Sequence, residues 1–488
     1  MSSTSTGEPD RGPAGTDRVC PTVDDPVARA GSELIGGPAG RRIRFARRGD
    51  GSFWTPLRVM ALCAVVIFAL GMVQKYPCYA QDWFQGANAQ YVHACYSDIP
   101  HLYQGRGFAG GQIPYVDRLP DKVSPDLHYL EYPVLTGVFM QIAAWLTPGG
   151  TVDSDIVHRE QIFYLVNAGM LMVCLVIAVV AVARTHRRRP WDAALLALSP
   201  AVLLNATINW DLFAVALLAV GMALWARKRP VWAGVLFGLA TAAKLYPVLI
   251  FGPLLVLCWR AGRWRALGQA AAGAAGAWLV VNIPWMIANP TGWATFYTFS
   301  QSRGEDYGSF WLVLMQQRGK ALGIDSLNAG EGIVMVVCCA AVGLLALAAK
   351  RRPRLPQLAF LVVAAFVLSN KVYSPQYVVW LVPLAALARP RWRDLLIWQA
   401  GECLYFLGIW MYLAATVVEN GKGLPQGGYH LIIMLHILCT LYLCGVIVRD
   451  ILAPDRDPVR LDGSDDPAGG VLDGAPDRFT LRSLVVRQ

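Results

Sequence analysis

Charge is what this sequence has least of. Only 16% of its 488 residues are Asp, Glu, Lys or Arg, where a soluble globular chain carries roughly 25%. That shortage excludes an ordinary water-facing surface for most of the chain. Also missing are a phosphate-cradling GxxxxGK[ST] loop and a GxGxxG turn after a strand, so no nucleotide site is expected. Histidine is scarce, at seven residues. His93, His101, His128 and His430 show no ligand spacing of the HExxH kind. No metal site and no other cofactor is therefore expected, with a divalent ion left open. No cleavable signal peptide is expected either: residues 1–50 are polar, rich in Gly, Pro and Asp, and end in RRIRFARR, so the first apolar run reads as a retained anchor. The net charge of +10 is spread over short clusters instead of one patch, which excludes nucleic acid as a partner.

Long apolar runs are what the chain does have. They recur from residue 57 to residue 448 at roughly 15–23 residues each, the pattern of an all-α, polytopic membrane protein that has lipids as its surroundings. Seventeen Trp and eighteen Tyr suit a membrane interface. Basic clusters at Arg41–Arg48, Arg184–Arg189, Arg227–Arg229, Arg260–Arg265, Lys350–Arg354, Arg389–Arg393 and Arg449 are assigned to the cytoplasm by the positive-inside rule. Each interval between clusters then holds an out-and-back pair. This predicts helices near 57–74, 161–183, 191–208, 212–226, 231–244, 247–259, 266–287, 331–349, 357–370, 376–388, 394–416 and 431–448, about twelve spans. Both termini become cytoplasmic. Residues 1–54 form a disordered tail with a basic juxtamembrane end, 55–450 the membrane domain, and 451–488 a second disordered tail. Residues 133–147 are apolar but short, and read as a re-entrant or interfacial helix.

This scheme places the remaining polar residues on the outer side. The stretch 76–137 carries Asp82, Asp98, Asp117, Asp121, Asp126 and Glu131. Asn209-Trp210-Asp211, Lys244-Leu245-Tyr246-Pro247, the segment around Arg303, and NKVYSPQY with Lys371 and Tyr373 join it there. Several flanking spans are shorter than the ~20 residues needed to cross, so these turns are expected in a protein-lined cavity below the surface. Lys244 at depth would otherwise cost roughly 2.5–3.5 kcal/mol.

Each of these groups has a plain reading and a chemical one. Asp98 either caps a helix or acts as general base on a hydroxyl. Glu131 either favours a helix start through the dipole or binds an acceptor. Asp211 either caps the next helix or bonds a polar substrate. Lys244, Lys371 and Arg303 either snorkel to lipid phosphates or hold a substrate phosphate. Tyr103, Tyr246 and Tyr373 accompany these motifs as substrate-binding candidates. His430 is either an interfacial residue or a participant in the site. Cys78 and Cys95 share the outer stretch, where thiols oxidise, and are expected to form a disulfide that pins it.

Taken together, SDxxxLY, EYPVLTG, NWD, KLYP and NKVYSPQYVVWLVPL resemble the C-type glycosyltransferase superfamily. More narrowly they resemble glycosyltransferase family 87, the actinobacterial polyprenol-phosphate-mannose-dependent mannosyltransferases, over about residues 55–450. The resemblance implies a C-type fold with a long first extracytoplasmic loop containing short juxtamembrane or re-entrant helices. It implies an Asp of that loop as base, Asp98 first and Asp82 in reserve. The acceptor hydroxyl would displace a polyprenyl phosphate with inversion, Lys244 and Lys371 steadying the leaving phosphate. The expected donor is a polyprenyl-phosphate sugar, mannose, and the acceptor a cell-envelope glycolipid, glycan or protein. The rival reading is a lipid or polyprenyl-sugar transporter or flippase. A transporter needs gates on both sides, whereas here the polar groups crowd one.

Overall fold

The computed structural model describes residues 18, 19, 21–40, 53–81, 83, 89–119, 127–148, 155–418 and 421–481. Among these residues there is no strand. In chain order the principal helices are α1 (Pro26–Gly40), α2 (Pro56–Ala80), α3 (Asp98–Gly105), α4 (Val134–Trp145), α5 (Ile156–Thr185), α6 (Pro200–Asn205), α7 (Asp211–Ala226), α8 (Pro230–Ala243) and α9 (Phe251–Ala261). They continue with α10 (Trp264–Ala288), α11 (Pro290–Ser302), α12 (Phe310–Arg318), α13 (Ile324–Ala348), α14 (Leu355–Ser369), α15 (Val378–Ala388), α16 (Trp392–Val417) and α17 (Gln426–Leu452). The protein is a polytopic all-α membrane protein. Six of these helices, α2, α5, α10, α13, α16 and α17, are long and apolar enough to cross a membrane by themselves.

The shorter helices occupy the middle. Every residue of α15 is buried, and so is nearly all of α14. In α13, by contrast, only Leu327 and Ala346 are buried, leaving an apolar outer face that suits lipid. At fifteen residues, α14 extends about 22 Å, less than the ~30 Å of a hydrocarbon core. The polar turn 370–377 that joins α14 to α15 is thereby recessed. Close approach of α8 to α10 depends on small residues. A Cβ on Gly234 or Gly238 would collide with the backbone oxygens of Ala270 and Ala274, the small-xxx-small packing typical of membrane helices.

Three expectations need correction. The continuous helix expected over 191–208 is broken: a 3-10 turn, Pro190–Ala193, and a single α-turn precede α6. Pro200 carries no N–H, and Ser199 caps α6 through Val202 N at 3.1 Å. Gln399 of α16 accepts from Ser199 Oγ and Ala201 N at 2.9 and 3.1 Å, so the break is satisfied from across the bundle. The stretch between the helices expected near 266–287 and 331–349, left without a helix by the scheme, folds into α11 and α12.

The third correction concerns the C-terminal segment, which is packed instead of disordered as far as residue 481. Its acids meet the arginines that the sequence had scattered. Asp457 takes Arg354 at 2.7 Å with both side chains at 0% exposure. Asp477 takes Arg260 and Arg352 at 2.6 and 2.7 Å, and Gly469 O accepts from Trp225 Nε1 at 2.8 Å. Low hydrophobicity argued for disorder, but charge complementarity across 103 to 217 residues of separation is invisible to a local window. At the other terminus, Pro21–Asp24 and α1 are helical, and Asp24 pairs with Arg189 at 2.6 Å. The basic clusters from Arg184 onward and these acids form one end of the bundle, the arginine end, whereas Arg41–Arg48 lies outside the described residues. α4, at twelve residues, is too short to span and packs on α5, α8 and α10.

Candidate active site

At the opposite end the recessed turns enclose a cavity of about 1370 Å³. Its position follows from docking of the 95–98 stretch onto the turn before α7. Asp98 N donates to Ile208 O at 2.8 Å, and Ser97 Oγ donates to Thr207 O at 2.6 Å. Ser97 also caps α3, accepting from Ile99 N at 3.2 Å. The capping role that Asp98 could have filled is thus taken by its neighbour, and the Asp98 side chain turns to the cavity wall. A disulfide joins Cys78, in the last turn of α2, to Cys95, with Cα atoms 5.7 Å apart. It ties the transmembrane bundle to the residues just before Asp98.

Asp98 sits at the head of a polar relay. Tyr96 OH donates to its Oδ1 at 2.7 Å, and Asn209 Nδ2 to its Oδ2 at 2.8 Å. The same Asn209 nitrogen donates to Tyr132 OH at 2.8 Å, while its Oδ1 accepts from Lys244 Nζ at 3.3 Å. Lys244 forms an ion pair with Asp211 at 3.3 Å and lies 5.3 Å over the Tyr132 ring. Asp211, 1% exposed, also accepts from Trp380 Nε1 at 2.7 Å. Burial pushes the Asp98 carboxyl above its ordinary value. The hydrogen bonds from Tyr96 and Asn209 and the Lys244 charge pull the other way, and Asp211 adds to the rise. A carboxylate raised toward the working pH is a stronger base for a hydroxyl proton.

The far wall is cationic. Arg303 pairs with Asp306, and Asp306 N donates to Lys371 O at 2.9 Å. Lys371 Nζ donates to Gln301 O at 3.2 Å and to Asn328 Oδ1. Burial first lowers the Lys371 ammonium, the Glu331 charge opposing and the Arg303 charge adding. Glu131 receives Arg106 Nε on both oxygens, at 2.9 and 2.7 Å. Tyr246 stacks on Trp380 at 4.4 Å, its buried hydroxyl without a hydrogen-bond partner among the described residues.

Of the residues singled out in the sequence, Asp98, Glu131, Lys244, Tyr246, Arg303 and Lys371 therefore line one cavity, and Asp211 anchors it from behind. Three do not reach it. Tyr103 is buried against Phe163 and accepts from Arg159 at 2.9 Å. Tyr373 points into the bundle, donating to Glu402 at 2.9 Å. The His430 ring is held by Gln316 and Gln317 at 2.7 and 3.0 Å. Asp117 accepts from Ile113 N in an exposed turn, and Asp82, Asp121 and Asp126 lie outside the described residues. Among the described residues, no cluster of three or more His, Cys, Asp or Glu is placed to hold a metal ion.

Asn209, Tyr96, Tyr132, Trp380, Asp306 and Lys75 were not singled out. Asn209 stood in the NWD motif, but only its acid had drawn notice. Lys75 is 1% exposed and donates to Tyr96 O at 2.9 Å.

Residues 129–370 match the sequence profile of glycosyltransferase family 87. Residues 304–452 match that of mannosyltransferase (PIG-M). Both profiles describe membrane-type GT-C glycosyltransferases. Among curated proteins, none matches the chain.

Proposed function

Because the chain is a membrane glycosyltransferase, similar to family 87, we propose that it moves mannose from a polyprenyl-phosphate donor to a hydroxyl of a cell-envelope glycolipid, glycan or protein. The observation that carries this reading is a base and a set of cations on one cavity: Asp98 on one wall, and Lys244, Arg303 and Lys371 around it. Asp98 takes the acceptor hydroxyl proton. The hydroxyl oxygen forms a bond to the anomeric carbon from the face opposite the phosphate, so the configuration inverts. The carbon–oxygen bond to phosphate breaks, and the polyprenyl phosphate leaves with the electron pair. Lys244, Arg303 and Lys371 stabilise the negative charge that grows on that phosphate. In this reading these cations suffice without a bound metal ion, so transfer continues in EDTA.

We assign the cavity to the extracytoplasmic side and both termini to the cytoplasm. The basic clusters gathered at the far end support that assignment through the positive-inside rule. Buried ion pairs also close the arginine end, Arg389 with Asp394 at 2.6 Å and Arg354 with Asp457 at 2.7 Å, which favours transfer in place over passage through the bundle.

The test is transfer from radiolabelled polyprenyl-phosphomannose in membranes carrying wild type or Asp98→Asn. The variant is expected to lose roughly 10²–10⁴-fold in rate. Equal transfer by both would remove Asp98 as base, and no transfer by wild type from any polyprenyl sugar would remove the donor.

A further inference from the structure

The arginine end holds a second cavity, of about 460 Å³, which the transfer reaction does not use. Its walls are the ends of α5 and α7 and the C-terminal segment. Arg184, Arg187 and Arg188 come from the first, Arg227 and Lys228 from the second. Arg189 also lines it, but this guanidinium is committed to Asp192 and Asp24 at 2.8 and 2.6 Å. The carboxylates on the opposite wall are engaged as well. Asp465 is held by Arg351 at 2.9 Å and faces Arg460 at 3.6 Å, and Asp473 accepts from Asp466 N at 2.9 Å.

Among the described residues, two observations indicate that the charge of Arg184, Arg187, Arg227 and Lys228 is not balanced from within. The Arg227 guanidinium is pushed below its ordinary value by burial and then by the charges of Arg187, Arg184 and Arg229. The cations therefore repel one another across the cavity. His186, on the cavity wall, is 1% exposed, and among the described residues neither ring nitrogen has a hydrogen-bond partner. Its nearest carboxylate oxygen, Asp192 Oδ2, is 3.8 Å from Nδ1, too far for a hydrogen bond. A buried ring left in this way lacks a partner that an occupant of the cavity would supply.

We propose that this cavity is a binding site for a phosphate group, held by Arg184, Arg187, Arg227 and Lys228 with the His186 ring at its base. Guanidinium forks match the geometry of phosphate oxygens, and several converging cations suit a group of more than one negative charge. α5 ends at Thr185 and α7 at Ala226, so the site lies where the apolar spans stop. It is within reach both of a phospholipid headgroup and of a soluble phosphate ester. The site is independent of the transfer mechanism.

The test uses the full chain, purified and reconstituted in phosphatidylcholine nanodiscs. Phosphatidic acid is offered in the bilayer and its retention read by native mass spectrometry, and glycerol 3-phosphate is offered in solution and its binding read by calorimetry. Wild type is expected to bind at least one. Arg187→Glu with Arg227→Glu should weaken that binding roughly tenfold or more, since each cation near an anionic headgroup contributes about 1 kcal/mol. Arg187→Gln with Arg227→Gln gives the same direction should the reversal disturb folding. Arg263→Glu with Arg265→Glu, at exposed positions outside the cavity, should change nothing. Retention of phosphatidic acid alone assigns the site to a headgroup, and competition by glycerol 3-phosphate assigns it to a soluble ester. Binding of neither, or equal loss in the Arg263/Arg265 control, overturns the proposal.

Discussion

Asn209 holds Asp98 and Lys244 together without letting them meet: its Nδ2 donates to Asp98 Oδ2 at 2.8 Å, and its Oδ1 accepts from Lys244 Nζ at 3.3 Å. The amide spaces an acid from a cation that would otherwise pair with it and neutralise it. Asn209→Ala is expected to reduce transfer roughly tenfold to a hundredfold, with the larger effect on kcat. Asn209→Asp should be worse, because a second carboxylate there raises Asp98 further and takes Lys244. Steady-state kinetics on purified variants check both.

The pH profile should carry the signature of a buried base. As the proposed base, Asp98 would work only when ionised, and burial holds its carboxyl above the ordinary value. Activity therefore falls as pH drops through a limb above the usual carboxylate range of about 4. Tyr96→Phe removes a hydrogen bond that favours the ionised form, so the limb should move to higher pH. A limb that stayed in place would mean that another group governs it.

At the arginine end, Arg354 donates to Asp457 at 2.7 and 2.9 Å and to Leu387 O at 2.8 Å. Removing one partner of a fully buried pair leaves an uncompensated charge, at a cost of about 3–5 kcal/mol. Asp457→Ala is expected to lower Tm clearly, whereas Arg354→Met with Asp457→Leu recovers most of the loss. Truncation before residue 454 should resemble the single change. Thermal unfolding in detergent, followed by intrinsic fluorescence, distinguishes these outcomes.

Within the bundle, Glu402 Oε1 accepts from Tyr373 OH, Trp398 Nε1 and Thr440 Oγ1 at 2.9, 3.2 and 2.9 Å. Its Oε2 faces His436 Nδ1 at 3.7 Å, and His436 Nε2 lies 3.2 Å from Gly308 O. Gly308 has φ +86, and a Cβ there would strike Tyr405. The acid thus anchors, from behind, the segment that carries Arg303 and Asp306. Trp398 Nε1 can still donate to Thr440 Oγ1 and Thr440 Oγ1 to His436 O, both at 3.1 Å, so Glu402→Leu should strand the Tyr373 hydroxyl at about 1–3 kcal/mol and lower the yield of folded protein. Glu402→Gln keeps an acceptor and should cost far less. Equal Tm values for the two would contradict the anchoring role.

The spans were legible because apolar run length and the spacing of arginines are local properties of the chain, set by what a bilayer tolerates. Gathering of Asp98, Lys244, Arg303 and Lys371 was legible as sidedness, since short hairpins must leave their polar turns at one end. Which residues touch was not. Tyr103 and Tyr373 stand beside cavity residues in the sequence, yet Tyr103 packs on Phe163 and Tyr373 donates into the bundle to Glu402, while His430 is held on α17 by Gln316 and Gln317. Asn209 became the hub only because the turn before α7 meets the turn before α3. The C-terminal acids read as a solvated tail because their partners lie in distant clusters, and a pair formed across the fold leaves no periodicity. Composition and spacing thus determined the membrane architecture and the end at which the polar turns would gather. Tertiary packing alone decided which acids face the cavity and which basic clusters are closed by their own chain.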